Sequence, residues 1–177
     1  MKVYNVHERR LQAQPEDVGK LIDSLAGSGD LLWPRERWPA MEFDVGLRSG
    51  ARGGHGPIRY HVADYIPGER VVFRFDDAGL IRGFHGCHLF EALPRRDNVV
   101  LRHIVDGECS FTLWLKWHLI VGPLHDALLE DSLDKAENGI ANGTVTSSQW
   151  SPWVRFLRWI IARKRKRKQP ESTGRRG

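Results

Sequence analysis

Ile58-Arg59-Tyr60-His61-Val62-Ala63-Asp64-Tyr65-Ile66-Pro67-Gly68-Glu69-Arg70-Val71-Val72-Phe73-Arg74-Phe75 is the stretch that decides the fold. Before Pro67-Gly68, Ile58, Tyr60 and Val62 alternate with Arg59 and His61; after it, Val71, Phe73 and Phe75 alternate with Val72 and Arg74. A period of two marks a strand with one buried face. A turn at Pro67-Gly68 sets Tyr60 opposite Phe75 and Val62 opposite Phe73, so the apolar sets of both strands fall on one side. The segment therefore predicts an antiparallel hairpin with an apolar face.

Neighbouring segments extend this hairpin into a meander. Met41, Phe43 and Val45 alternate with Glu42 and Asp44, and residues 82–93 and 98–108 predict a second hairpin turning at Pro94-Arg95-Arg96-Asp97. Pairing Leu93 with Asn98 places His88 directly across from His103, on a face shared with Phe84, Phe90, Leu101 and Val105. That register also separates Cys87 from Cys109, so no disulfide is expected. Near the N-terminus, Val3, Tyr4, Val6 and Leu11 give a weak strand signal. Pro15-Glu16-Asp17 then open a helix with Val18, Leu21, Ile22 and Leu25 on its apolar face, ended by Gly27 and Gly29. Trp33-Pro34 and Trp38-Pro39 predict a short turn held by aromatics, which either lines a cavity entrance or tethers the turn to the core. After the sheet, Leu129, Leu133, Ala136 and Ile140 recur at helical spacing, with Asp126, Glu130, Asp134 and Glu137 as an opposite, solvated stripe. Pro123 falls either in the first turn of this helix or at a kink in a longer one starting near Phe111.

The 177 residues are 41% hydrophobic and 28% charged, which excludes wholesale disorder and a polytopic membrane protein. With two cysteines and a polar N-terminus, a reducing cytoplasm is the expected location. The net charge of +5 hides an asymmetry: residues 1–150 carry 17 basic and 21 acidic side chains, whereas residues 151–177 carry 10 basic and one acidic. An acidic partner is therefore expected at the C-terminus and not on the folded body.

Leu32-Trp33-Pro34, Arg37-Trp38-Pro39, Gly54-His55-Gly56-Pro57-Ile58-Arg59-Tyr60, Pro67-Gly68-Glu69-Arg70, Phe73-Arg74-Phe75, Leu101-Arg102-His103 and Pro123-Leu124-His125-Asp126-Ala127-Leu128-Leu129-Glu130-Asp131 carry a family likeness. With the order of strand, helix, antiparallel strands and long C-terminal helix, these phrases resemble bacterial members of the SRPBCC superfamily. This is the START-like group that includes polyketide cyclases and lipid-transfer proteins. The resemblance implies an α+β helix-grip fold in which a curved antiparallel sheet wraps a long C-terminal helix around a cavity for an apolar or amphipathic small molecule, such as a lipid. It spans roughly residues 2–140, giving a ligand-binding domain over 1–143, a linker over 144–152 and a basic amphipathic tail over 153–177. The superfamily shares no catalytic residues, so the resemblance implies architecture and no single reaction.

On that architecture, the expected ligand-lining residues are Phe43, Tyr60, Val62, Phe73, Phe75, His88, Phe90, Leu101, His103, Trp114, His125 and Leu129. His118, His125 and Leu129 fall near one helical face. His88, His103 and His125 are the candidate proton-transfer residues of a cyclase-type enzyme, the alternative to a non-enzymatic binding protein. A filled-core interaction module is the third reading. No cysteine or carboxylate stands at recognised zinc-ligand spacing with these histidines, so no metal and no other cofactor is read from the sequence. The glycine-rich stretch at 49–57 lacks the GxxxxGK[ST] pattern and joins strand to strand, and a flexible connection is expected there.

Trp153-Val154-Arg155-Phe156-Leu157-Arg158-Trp159-Ile160-Ile161-Ala162 predicts a helix too short to span a bilayer, followed by Arg163, Lys164, Arg165, Lys166, Arg167 and Lys168. Trp153, Phe156 and Trp159 with these six cations provide two signals for peripheral attachment to an anionic membrane, at the inner face of the cell membrane. The other reading packs 153–161 on the domain. A nucleic-acid partner is disfavoured because nothing here reads bases.

Overall fold

A computed structural model describes residues 1–141 and 148–168, with side chains described as far as Arg163. Its strands are β1 (Lys2–Leu11), β2 (Met41–Phe43), β3 (Arg52–His55), β4 (Ile58–Ile66), β5 (Arg70–Phe75), β6 (His85–Pro94) and β7 (Val99–Glu108). They form one antiparallel seven-stranded sheet in the order β1-β7-β6-β5-β4-β3-β2. The helices are α1 (Pro15–Asp23), α2 (Phe111–Lys116), α3 (Gly122–Ala141) and α4 (Pro152–Lys168), with a π-helical turn at Trp117–Val121 joining α2 to α3. The long helix α3 lies against β1 and α1, and α4 lies against α3. This is the helix-grip arrangement.

The β4–β5 hairpin has the register expected from its alternation, with Tyr60 opposite Phe75 and Val62 opposite Phe73, and a bulge between Val62 and Asp64. A bulge bends its strand and helps curve the sheet. On the concave face Tyr60, Val62, Phe73, Phe90 and Leu101 pack against Leu129, Leu133 and Ala136 of α3 and Val18 and Ile22 of α1, all of them buried. A smaller cluster gathers Val3, Phe84, Val105, Leu113 and Trp117 beneath α2.

Three local readings change in the structure, and one alternative left open by the sequence is decided. The β6–β7 register is shifted by two residues, with His88 opposite Val105 and Phe90 opposite His103. The turn is built from Arg95 to Asn98, closed by the Arg95 amide donating to the Asn98 carbonyl at 2.8 Å. A shift of two keeps both histidines on the buried face, since side chains alternate with period two.

Secondly, part of the glycine-rich stretch is strand β3, paired with β2 and β4. Glycine is required there because a Cβ on Gly53 would lie 1.9 Å from the Glu42 carbonyl oxygen. Gly54 has φ +148°, and a Cβ there would lie 2.0 Å from the Ile58 carbonyl oxygen. Backbones therefore approach where side chains would keep them apart.

The acidic stripe of α3 is the third change. It faces β1 and not open solvent: Asn5 donates to Asp126 at 3.0 Å, His7 contacts Glu130 at 2.9 Å, and Arg9 pairs with Glu130, Asp134 and Glu137. Asn5, His7 and Arg9 are spaced by two on one face of β1, so a polar strand face receives the polar helix face.

Finally, the helix begins at Phe111, and the π turn immediately precedes Gly122-Pro123. Pro123 lacks the N–H that an α-helix would send to the Leu119 carbonyl, and that carbonyl accepts from the Trp153 indole at 2.8 Å. The extra residue rotates the preceding turn, so Trp117 is buried while His118 is exposed.

The two tryptophans of the proline-rich turn act as tethers. Trp33 is buried with its indole donating to the Pro39 carbonyl at 2.9 Å, and Trp38 donates to Asp131 of α3 at 2.6 Å. Asp131 also accepts from Arg37 at 2.6 Å and Trp150 at 2.9 Å. Arg158 of α4 lies over the rings of Trp38 and Trp150, 4.2 and 4.0 Å from their centres. Helix α4 buries Val154 and Leu157, at 4% and 7% exposure, and leaves Trp153, Phe156 and Trp159 exposed at 46%, 46% and 52%.

Candidate functional site

Four histidines and a tyrosine run through the interior of the grip. His55 Nδ1 lies 2.9 Å from the Tyr60 hydroxyl, and the Tyr60 ring stands edge-on to His88 at 4.7 Å. His88 is stacked between Phe73 and Phe75, at 4.7 and 4.8 Å. His88 Nδ1 lies 3.2 Å from His103 Nε2, and the His103 ring is 5.1 Å from that of His125 on α3. The sequence places these groups together because β4, β5, β6 and β7 are consecutive in the sheet and every one of these strand residues sits on the inward phase.

Burial governs their charge. Desolvation, reinforced by the other histidines, holds His88 and His103 well below the usual imidazole range, and His55 is pushed down to about 3. Both members of the His88–His103 pair are therefore neutral, and each carries one proton. Whichever nitrogen donates across the 3.2 Å contact, the two outer nitrogens are left as one N–H donor and one lone-pair acceptor. Those outer atoms, His88 Nε2 and His103 Nδ1, are buried and have no hydrogen-bond partner among the described residues. Buried polar atoms are nearly always paired, so this orphaned donor and acceptor in an aromatic enclosure is an exception within the interior.

The expected lining residues divide by position. Tyr60, Val62, Phe73, Phe90, Leu101, His88, His103 and Leu129 are buried together, and Phe43 and Phe75 border them half-buried. Trp114 lies half-buried beside the smaller cluster, where it touches His118. Trp117 takes the buried position, stacked on Phe84 and 5.7 Å from the His125 ring. His7 and His55 join the site although the sequence reading did not select them. The usable signal for His7 was its phase with Asn5 and Arg9 on one strand face.

His7 lies at the other end of the histidine series. Its Nδ1 is 2.9 Å from Glu130 and its Nε2 3.1 Å from Asp126. Burial alone would lower its pKa, but the hydrogen bonds and charges of Asp126 and Glu130 outweigh burial and raise it. His125 follows burial and is lowered, despite Asp126 beside it.

Two open clefts lie away from this interior. One of about 490 Å³ is lined by Arg37, Ser148, Gln149, Trp150, Arg155 and Arg158, and one of about 370 Å³ lies along β2 and β3 near Phe43 and Arg59. On α4, the exposed rings of Trp153, Phe156 and Trp159 stack in series at 5.5 and 6.1 Å, with Arg163 over Trp159 at 4.9 Å. The side chains of Lys164, Arg165, Lys166, Arg167 and Lys168 lie outside the described residues. Among the described residues, no helix is long and apolar enough to cross a membrane.

No protein-family model and no curated protein matches the chain in sequence. Solved structures match its fold. CalU16 from Micromonospora echinospora is 14% identical over 91% of this chain and 84% of its own, with a TM-score of 0.54. A protein from Thermobifida fusca is 15% identical over 80% of this chain and 93% of its own, with a TM-score of 0.57. Norcoclaurine synthase from Thalictrum flavum, in complex with dopamine and hydroxybenzaldehyde, is 12% identical over 82% of this chain and 90% of its own, with a TM-score of 0.53. The chain therefore has the α+β helix-grip fold that its START-like resemblance implied.

Proposed function

We propose that the protein binds an apolar or amphipathic small molecule between the concave sheet and α3, with the ligand's polar group taken by His88 and His103. The observation that carries this reading is the orphaned donor and acceptor on those two buried rings. Surrounding aromatics supply apolar surface at about 25 cal/mol per Å² buried, while the histidine pair orients the ligand. A hydroxyl or carbonyl on a lipid-, isoprenoid- or polyketide-like molecule matches that chemistry. A fold relative that holds dopamine and hydroxybenzaldehyde supports the scale of ligand.

The aromatic face of α4 and the cations after it support delivery of that site to an anionic membrane surface. Val154 and Leu157 seat the helix on the body, so Phe156, Trp159 and the outer face of the Trp153 ring remain available to lipid.

Native mass spectrometry of freshly purified protein, followed by organic extraction, tests the binding reading. A stoichiometric apolar compound bearing an oxygen function, lost in His88→Leu/His103→Leu, is the expected result. A protein that retains no compound and binds none from a panel of fatty acids, isoprenols and aromatic polyketides would overturn it. A second reading is a cyclase-type enzyme in which His88, His103 or His125 moves protons. The observation behind it is the 3.2 Å contact between His88 Nδ1 and His103 Nε2, along which a proton can pass between the two rings. Turnover of a confirmed substrate that survives His88→Ala, His103→Ala and His125→Ala would remove it.

A further inference from the structure

We propose that His7, His125 and Asp126 form a binding site for a divalent transition-metal ion between β1 and the first turn of α3. Three ligand atoms, one from each residue, lie within 4.8 Å of one another. His7 Nε2 is 3.1 Å and His125 Nδ1 is 3.8 Å from the same Asp126 oxygen. Ligands held about 2.1 Å from a tetrahedral ion are about 3.4 Å apart, so small side-chain adjustments bring all three onto one centre.

Two further features point to an ion. His125 Nδ1 is sealed from solvent and, among the described residues, lies within geometric hydrogen-bond distance of no group, the Asp126 carboxylate standing 3.8 Å away. His7 presents Nδ1 to Glu130 at 2.9 Å, and Glu130 is held by Arg9 at 3.1 Å. A ring that donates Nδ1–H to a carboxylate turns the lone pair of Nε2 toward Asp126, the arrangement that commonly orients a metal-bound histidine. Without an ion, that lone pair would meet the lone pairs of a carboxylate, unless a further proton sits on His7 or on one of the two carboxylates. Two imidazoles and one carboxylate suit zinc and its neighbours better than magnesium or calcium, and they leave a coordination position free. The site borders the interior pair, with His103 5.1 Å from His125.

Zinc titration by calorimetry into full-length, chelator-treated protein tests the proposal. One Zn²⁺ per chain is expected. His7→Ala, His125→Ala and Asp126→Asn each weaken binding at least 100-fold, Glu130→Gln about 10- to 100-fold, and His118→Ala leaves it unchanged. Circular dichroism establishes that each variant is folded. The cobalt-loaded unmodified protein gives an independent readout: a spectrum of nitrogen and oxygen ligands is expected, and a sulfur-to-cobalt band would move the ion to Cys87 or Cys109 and overturn the proposal. Absence of zinc binding, or binding that survives His7→Ala and Asp126→Asn, would overturn it as well, leaving His7 as a proton-carrying bridge between two carboxylates.

Discussion

Trp38 and Trp150 donate their indole N–H groups to the same oxygen, Oδ2 of Asp131, at 2.6 and 2.9 Å, while their rings meet edge to face at 5.7 Å. Trp38 belongs to the proline-rich turn, Trp150 to the approach to α4 and Asp131 to α3. One buried carboxylate therefore joins three parts of the chain. Asp131→Asn exchanges an acceptor-only group for one that also donates, and it removes the charge opposite Arg37. It is expected to cost about 1–3 kcal/mol, with a fall in Tm of about 2–4 °C per kcal/mol. Thermal unfolding measures the loss, and faster tryptic cleavage at Arg155 and Arg158 measures the loosening of α4. An unchanged Tm would show that the shared carboxylate is not a structural joint.

His88 and His103 satisfy each other at only one nitrogen apiece, so replacing one leaves its partner fully orphaned. His88→Leu and His103→Leu are each expected to destabilise by about 1–3 kcal/mol. The double variant should cost less than the sum, with a coupling of about 0.5–3 kcal/mol. Urea unfolding of the four proteins measures it, and strict additivity would contradict the pairing.

Stability should fall with acid in a specific window. His55 drops from an ordinary 6.5 to about 3 and faces Tyr60 and Trp33, with Arg59 and His125 the nearest charges opposing protonation. His88 is held well below its usual range among Tyr60, Phe73, Phe75 and His103. Because the unfolded chain binds protons that the native state refuses, these groups contribute fully above about pH 7. Their contribution is lost as pH falls through 6.5 toward the native values, by about 2 kcal/mol for each histidine at pH 5. Urea midpoints at pH 7.5 and 5 test this. The difference should shrink in His88→Leu, and a pH-independent midpoint would refute it.

Vesicle sedimentation tests the outer face of α4. Phe156→Ser/Trp159→Ser should leave the fold intact, because these side chains are half-exposed. Binding to anionic vesicles should weaken at least tenfold, or about 1.4 kcal/mol, and added salt should weaken binding of the unmodified protein. Equal binding by both proteins would show that the aromatic face does not enter lipid.

Gly54→Ala tests the close strand approach. The added Cβ at φ +148° meets the Ile58 carbonyl, so β3 should separate from β4 at a cost above about 1 kcal/mol. Hydrogen exchange at the β3–β4 amides reads this directly, and unchanged protection would refute it.

Much of the fold was legible because the deciding signals were local. Alternation in 58–75 gave the hairpin, its register and its buried face, and Pro15-Glu16-Asp17 gave the start of α1. Helix and strand periods alone could not say what the polar face of α3 meets. Asp126, Glu130, Asp134 and Glu137 have the spacing of a solvated stripe, and only the placement of β1 beside α3 reveals Asn5, His7 and Arg9 as their partners. The His88–His103 contact was legible despite a register shifted by two, because such a shift preserves the face and loses only the directness of the pairing. β3 escaped because glycines carry no side-chain pattern; its evidence is backbone proximity, which a period cannot report.

The π turn at Trp117–Val121 offsets α2 from α3 by one residue's rotation, about 100°, within the helix that grips the sheet. Deleting one residue from that turn would restore a single α-helical phase and swing α2 by about 100° relative to α3. His125 would keep its place while Trp117 left the interior. Changes in α2 therefore retune what covers this end of the site without altering the histidines that α3 supplies, so the wall and the chemistry of the interior vary separately along one continuous helix.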